Sequence, residues 1–404
     1  MTERLQIEIG EWIVHAALAG TDDGAILAGV CERLDVSGIP LVRVSISGDL
    51  LDPTLDGRGV RWKRGQGAGE EVFTRTGDAA TREDWKSSPF FHLIESGEAR
   101  LLRRLDASYR RGEFPLLDTL QDQGATEYAA FGAAIGEGTR LGEIRGVISS
   151  WTTDRPGGFA EIHVETLARI MPTLALAFIL RTNSQVARTM VTTYLGRDAA
   201  LRVLAGNISR GQAERIRAVV WYADLVGFTR ISETIGPDGV LALLNDYAEV
   251  QVETIEAHGG HVLKFIGDGI LAIFPGDDPV HACSQALDAA EAQRHRIAAL
   301  RQRRTASGLP VTDLRLALHI GDLLYGNVGS PRRLDFTVLG PAVNEAARIE
   351  ALCGSLDQSV IVSSAFADAA GAARSRLVSL GRYAMKGVTR PQELFTLDAS
   401  WGGD

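Results

Sequence analysis

The chain has 404 residues, 45% of them hydrophobic and 23% charged, which is enough apolar material for more than one core. A formal net charge of −9 and a pI near 5.5 exclude a general nucleic-acid or anionic-membrane surface unless a local basic patch opposes that field. The basic run "RQRR" at 301–304 reads as a solvated helix end, and Cys31, Cys283 and Cys353 lack metal-ligand spacing, which suits a reducing compartment.

The N-terminal stretch "MTERLQIEIGEWIVHAALAG" lacks a signal peptide's basic start and apolar core, and the longest apolar run, "MPTLALAFIL", is too short to span a bilayer. A cytoplasmic chain is expected, with neither membrane nor nucleic acid among its partners. Residues 1–185 read as a separate α+β unit. A helix around 7–35 leads into strands in "PLVRVSIS" and "RGVRWKRG", then a polar region holding "REDWKSSPFF". "TEYAAFGAAI", "EIRGVISSWTTD" and an amphipathic helix through "EIHVETLARIMPTLALAFILRT" complete it. Residues 186–213 read as a helical linker turning at Gly206 and Gly211, either a signal transmitter or a passive tether.

Residues 214–400 form a second unit with a regular pattern. "RAVVWYADL", 217–225, is a near-continuous run of β-formers, as a strand buried on both faces should be. The segment 237–260 opens on Pro237, carries Val240, Leu243, Leu244, Tyr247 and Val250 at helical spacing, and closes on Gly259-Gly260. A hairpin with strands at 261–266 and 270–274 follows, then the helix "PVHACSQALDAAEAQRHRIAALRQRR" and the strand "TDLRLALHIG". The order β-α-β-β-α-β is the split-βαβ, ferredoxin-like arrangement, so the chain as a whole is expected to be α+β.

Three stretches of the second unit carry chemistry. "WYADLVGFT", 221–229, ends a buried strand in Asp224 and runs into a Gly227-Phe228-Thr229 turn whose amides can cradle phosphate oxygens. "KFIGDGILAIF", 264–274, sets Lys264 and Asp268 in an otherwise apolar hairpin; glycine explains the turn but not the charges. If the first strand and the hairpin pair centrally, Asp224 and Asp268 arrive at one sheet edge, where a hard cation and substrate phosphates would join them. Taken singly, either aspartate is as well explained as a cap or a turn residue. In "DFTVLGPAVNEAARIE", 335–350, Asn344 and Arg348 share a helical face, and an amide with a fixed cation suits charge that develops in a transition state.

In this order and spacing, the three stretches resemble the catalytic domain of class III nucleotidyl cyclases, from about Arg217 to Leu397. The resemblance implies two metal ions per site, Mg²⁺ or Mn²⁺, on Asp224, Asp268 and the Leu225 carbonyl. It implies base selection by Lys264 and Thr337, transition-state contacts from Asn344 and Arg348, and a triphosphate contact from Lys386 in "YAMKGVTRPQELFTL". It also implies a homodimer in which one protomer gives each site the aspartates and the other gives Lys264, Thr337, Asn344 and Arg348. Two positions depart from the commonest pattern. Thr337 stands where many relatives have aspartate, a feature of the subgroup associated with bicarbonate response, and Gly340-Pro341 stands for Gly-Asp.

With Lys264 donating to adenine N1, ATP is the expected substrate and cyclic AMP the product. Guanylate cyclase activity, a diguanylate cyclase and a catalytically silent nucleotide sensor are the alternatives. The diguanylate Gly-Gly-Asp/Glu-Glu-Phe hairpin is missing, and a silent sensor should have lost a metal aspartate or the arginine. The first unit resembles a GAF domain in "GVISSWTTDRPGGFAEIHVETLARIMPTLALAFI", which implies a sensor with a small-molecule ligand or a ligand-free dimerisation module.

Overall fold

The structure is a computed structural model that describes residues 2–52, 55–74, 79–137, 146–385 and 391–398. The chain separates into two compact units, Met1–Met190 and Val191–Asp404.

The first unit runs α1 (Thr2–Leu18), α2 (Asp23–Val36), β1 (Arg43–Asp49), β2 (Leu55–Lys63), β3 (Gly67–Thr74), α3 (Ala79–Lys86), α4 (Pro89–Ser96), β4 (Arg100–Arg104), α5 (Pro115–Asp122), β5 (Glu127–Ala134), β6 (Gly146–Thr153) and α6 (Glu161–Leu195). Its six strands form one antiparallel sheet in the order β3-β2-β1-β6-β5-β4. Helices α1, α2 and α6 bury Ile13, Val30, Leu167 and Phe178 against Val44 and Trp151 of the sheet, while α4 and α5 pack Leu93 and Leu117 against Tyr128. The helix expected over 7–35 is two helices, because the chain turns at Gly20 in a left-handed conformation.

Helix α6 corrects the expectation about bilayer-spanning length. The ten-residue apolar run lies inside a 35-residue helix with a window of mean hydropathy 1.4, long and apolar enough to cross a membrane. Half of that window is buried, with Leu167, Ile170, Leu174 and Phe178 in the first unit's core, as in a core helix.

The second unit runs α7 (Arg197–Leu204), β7 (Ala213–Leu225), α8 (Phe228–Thr234), α9 (Pro237–Ala257), β8 (His261–Ile266), β9 (Gly269–Pro275), α10 (Pro279–Ala306), β10 (Leu314–Ser330), β11 (Arg333–Leu339), α11 (Pro341–Glu350), β12 (Val360–Ser363), α12 (Ser364–Ala369), β13 (Leu377–Tyr383) and β14 (Gln392–Leu397). The sheet order is β13-β14-β12-β10-β7-β9-β8, with β11 on β10, so β7 sits centrally between antiparallel β10 and β9. That is the split-βαβ arrangement extended at one edge. Helices α9 and α10 cover one face around Trp221, Tyr247, Phe274 and Leu287; α7 and α11 cover the other around Val220, Leu271, Tyr325 and Ala346.

Three local expectations need correction. Residues 197–204, read as linker, fold as α7 with Ala199 buried in the second unit's core. Strand β10 continues through the glycines and polar residues after Ile320 because pairing with β7 and β11 overrides their weak strand preference. The "RQRR" run is a solvated helix end at Arg301, Gln302 and Arg303 but not at Arg304, which is 3% exposed, pairs with Asp246 of α9, and donates to the Pro310 carbonyl at 2.8 Å.

Candidate active site

Alternation along β7 sends Val220 and Tyr222 to the face covered by α11, and Asp224, at the strand's end, follows them. The β8–β9 turn consists of Gly267 and Asp268, with positive φ at Gly267. Because Ala223 pairs with Ile270, this turn lies beside Asp224. Gly269 makes the approach attainable: a Cβ there would stand 2.5 Å from the Ala223 carbonyl and 3.1 Å from Asp224 Oδ1. The two carboxylates that the sequence separates by more than forty residues therefore meet.

Half-buried Asp224 titrates above the usual aspartate range, first because burial disfavours its charge, then because Asp268 faces it; the Leu225 amide and Arg315 act the other way. A carboxylate pushed up this way binds more protons folded than unfolded between its ordinary and its raised pKa. Stability of the metal-free protein thus falls as pH rises through that window, and the penalty persists above it. Asp224→Asn is expected to raise the melting temperature at neutral pH, with the gain vanishing once acidification protonates Asp224 in both states. The gain should be a few degrees at most, since about 1 kcal/mol moves Tm by roughly 2–4 °C in a unit of this size. Differential scanning fluorimetry between pH 3 and 8 measures it; a lower Tm for the variant at neutral pH would contradict the assignment.

The donor set fits a divalent cation bound partly by substrate. No group of three or more His, Cys, Asp or Glu closes a metal cage among the described residues. Two facing carboxylates with an open side suit Mg²⁺ or Mn²⁺, which take few protein oxygens and complete their shell with phosphates and water.

Lys264 lies on β8, and its Nζ donates to Asp335 Oδ2 of β11 at 3.0 Å. Thr337 is two residues further along β11, on the same side as Asp335, while Phe336 and Val338, the alternate residues, enter the core beside Tyr325. Thr337 is 4% exposed and its hydroxyl has no hydrogen-bond partner among the described residues. A donor and an unsatisfied hydroxyl thus come to neighbouring places through Asp335.

Helix α11 starts at Pro341 and buries Ala342, Ala346, Ile349 and Glu350, leaving Asn344 exposed and Arg348 half-buried one turn apart. Pro341 occupies the helix's first turn, where its missing N–H costs nothing. Gly227 takes a left-handed conformation before α8, and Phe228 and Thr229 form that helix's first turn, whose amides have no intrahelical acceptor. Lys386 lies outside the described residues.

Three further residues, to which the sequence reading gave no role, stand beside the site residues. Arg315 of β10 is the cross-strand partner of Asp224, and Gly354 leaves room for its guanidinium, since a Cβ there would stand 2.7 Å from Nη2. Glu350, at the end of α11, titrates above the usual range, first through burial and then through the Asp224 charge, with Arg315 opposing. Asp335 is the third. Strand alternation in "TDLRLALHIG" marks Arg315 as the charged member of an apolar strand, which is the signal that could have found it. Nothing in the sequence pairs Asp335 with Lys264.

Residues 212–399 match the family of adenylate and guanylate cyclase catalytic domains. The chain is 34% identical over 163 residues to adenylate cyclase 1 of Rhizobium meliloti, covering 40% of this chain and 24% of that protein. It is 33% identical over 163 residues to an adenylate cyclase of Anabaena cylindrica, covering 39% and 31%. The chain therefore spans less than a third of the length of these curated relatives. Among solved structures, the adenylyl cyclase CyaB of P. aeruginosa aligns with 47% of this chain and 97% of its own, at 25% identity and a TM-score of 0.43.

Proposed function

We propose that the chain converts ATP to 3′,5′-cyclic AMP and pyrophosphate, residues 212–399 being those that match the adenylate and guanylate cyclase catalytic domain. The observation that carries this reading is the meeting of Asp224 with Asp268 at the end of β7; α11, the helix that carries Asn344 and Arg348, covers the same sheet face. Asp224, Asp268 and the Leu225 carbonyl would hold Mg²⁺ or Mn²⁺, two ions per site, which when bound acidify the ribose 3′-hydroxyl and neutralise the triphosphate. Arg348 meets the charge that grows on the α-phosphoryl oxygens, and Asn344 holds the ribose so that the 3′-oxygen lies in line with the α-phosphorus. Arg315 adds a fixed cation beside the carboxylates, and the amides at Gly227, Phe228 and Thr229 face phosphate oxygens. In this reading each site is shared by two protomers of a homodimer. The first unit acts as a GAF-like sensor that sets the dimer's geometry.

Lys264, held by Asp335, donates to adenine N1, and the Thr337 hydroxyl takes its missing hydrogen bond from the exocyclic amine. Guanine would present N1–H to the ammonium, and a buried mismatch of that kind costs about 1–3 kcal/mol, or roughly tenfold to hundredfold in preference. Lys264→Glu with Thr337→Cys is expected to move preference towards GTP by about that factor, measured as the ratio of kcat/KM values. A fully active double variant that still prefers ATP sinks the base-selection assignment.

GTP as the natural substrate is the second reading, and Asp335 favours it, because a carboxylate beside Lys264 can accept from guanine N1–H and the 2-amino group. The deciding experiment incubates the purified chain with ATP or GTP and Mg²⁺ or Mn²⁺ and identifies the products. Cyclic AMP is expected. No cyclic nucleotide under any of these conditions overturns the proposal.

A further inference from the structure

Helix α9 and the β8–β9 hairpin leave a slot between them on the side away from α11. Its cavity measures about 170 Å³, and Leu244, Ala248 and Gln251 of α9 face Phe265 and Ile270 across it, with Asp268 of the turn in its wall. The α9 residues are spaced by three or four, so they form one stripe along the slot. Leu241 and Phe265 also line it and are 60% and 59% exposed, which makes its open side apolar.

One polar group in the slot is unaccounted for. Gln251 is 2% exposed, and its Oε1 has no hydrogen-bond partner among the described residues. The neighbouring Tyr247 hydroxyl is already committed, donating to the Thr312 carbonyl at 2.7 Å and accepting from the Thr312 amide at 2.9 Å. A buried amide oxygen left unmatched is costly. Water is a poor solution, because an ordered water needs two to four polar partners and these walls are mainly carbon.

We propose that this slot binds a small uncharged ring compound carrying one hydrogen-bond donor, about the size of a phenol, with the donor on Gln251 Oε1. The volume fits: cavities of about 150 Å³ lined by leucine, isoleucine and phenylalanine hold a benzene ring. The donor requirement comes from Gln251, and the uncharged ring from the carbon that Leu244, Ala248 and Ile270 set around it, with Asp268 only at the turn end of the wall. Because the Gly267-Asp268 turn forms one wall, occupancy fixes the segment that carries Asp268. The slot is then a regulatory site acting on metal binding, and this regulatory step rests on the metal role proposed for Asp268.

The test uses the full chain with methyl-labelled leucine and isoleucine, p-cresol as probe and toluene as its hydroxyl-free counterpart. Expected are nuclear Overhauser contacts from p-cresol to the Leu244 and Ile270 methyls. Gln251→Leu should weaken p-cresol about fivefold, one lost hydrogen bond, without weakening toluene. Ala248→Phe should fill the slot and remove both ligands, with Ala248→Leu serving if the larger side chain prevents folding. Contacts absent at the solubility limit, an unchanged p-cresol to toluene ratio in Gln251→Leu, or wild-type binding by a folded Ala248 variant each overturn the site. A Mn²⁺ titration read by electron paramagnetic resonance tests the regulatory step: p-cresol should shift the Mn²⁺ dissociation constant at least about twofold in the wild type, the effect of under half a kcal/mol on the turn. No shift despite binding overturns the coupling. If Mn²⁺ fails to bind at all, the metal assignment falls, and the contacts to Leu244 and Ile270 still decide the slot.

Discussion

Replacing Asp224 or Asp268 with alanine is expected to abolish cyclic nucleotide formation while the fold survives. The loss should exceed the roughly 10–100-fold that removing an outer partner costs a metal site, because each carboxylate here is a direct ligand in the proposed site. Survival of the fold follows from where the two side chains sit. Asp268 occupies a hairpin tip, and Asp224 is half-buried at a strand end whose core contacts come from its neighbours Ala223 and Leu225. The Asp224 charge is itself uphill in the metal-free protein, held against burial and against Asp268, so its removal relieves strain in the charge distribution. Circular dichroism, turnover and Mn²⁺ binding should be measured on the same preparations. Substantial activity in either folded variant would remove the metal role from that residue.

The parts of this site that could be read from sequence are those set by local pattern. Asp224 stands at the end of an unbroken β-forming run, Asp268 between two glycines, and Asn344 and Arg348 four apart on a helix, so each announces its place without tertiary information. Their assembly needed one inference, that β7 lies central and beside β9, and the pairing of Ala223 with Ile270 supplies it. Residues that join by packing alone stayed hidden. Arg315 meets Asp224 through the register of β10 on β7, Glu350 arrives on the buried side of α11, and Asp335 reaches Lys264 across 71 positions of chain. The same blindness misplaced Arg304, whose guanidinium satisfies the Pro310 carbonyl and Asp246. It also truncated β10 at a glycine that strand pairing carries through. In the first unit the six-stranded sheet accommodates the strands expected from "PLVRVSIS", "TEYAAFGAAI" and "EIRGVISSWTTD", whereas its edge strands β3 and β4 come from polar segments in which periodicity is weak.

An equal, randomly exchanged mixture of Asp224→Ala and Arg348→Ala protomers is expected to regain about a quarter of wild-type activity although each variant alone is inactive. The reason lies in the division of labour proposed between protomers. In either homodimer, every site lacks the metal carboxylate or the cation that meets the transition-state charge. In the mixed dimer, one cleft takes Asp224 from the Arg348→Ala protomer and Arg348 from the Asp224→Ala protomer, so it is whole, and the other cleft carries both lesions. Equal amounts mixed at random give half mixed dimers, each with one sound site of two, which returns about a quarter of the activity if sites are independent and the symmetry is twofold. Neither substitution lies in the packed core: Arg348 is half-buried on the side of α11 away from Ala346 and Ile349, and Asp224 ends its strand. The measurement co-expresses the two variants with different tags and assays cyclic AMP in the mixture against each homodimer, then in the isolated doubly tagged dimer, where about half of wild-type activity is expected. Verified exchange without recovered activity would mean that Asp224 and Arg348 act within one protomer, and that Lys264 and Asp268, four residues apart on one hairpin, serve the same cleft.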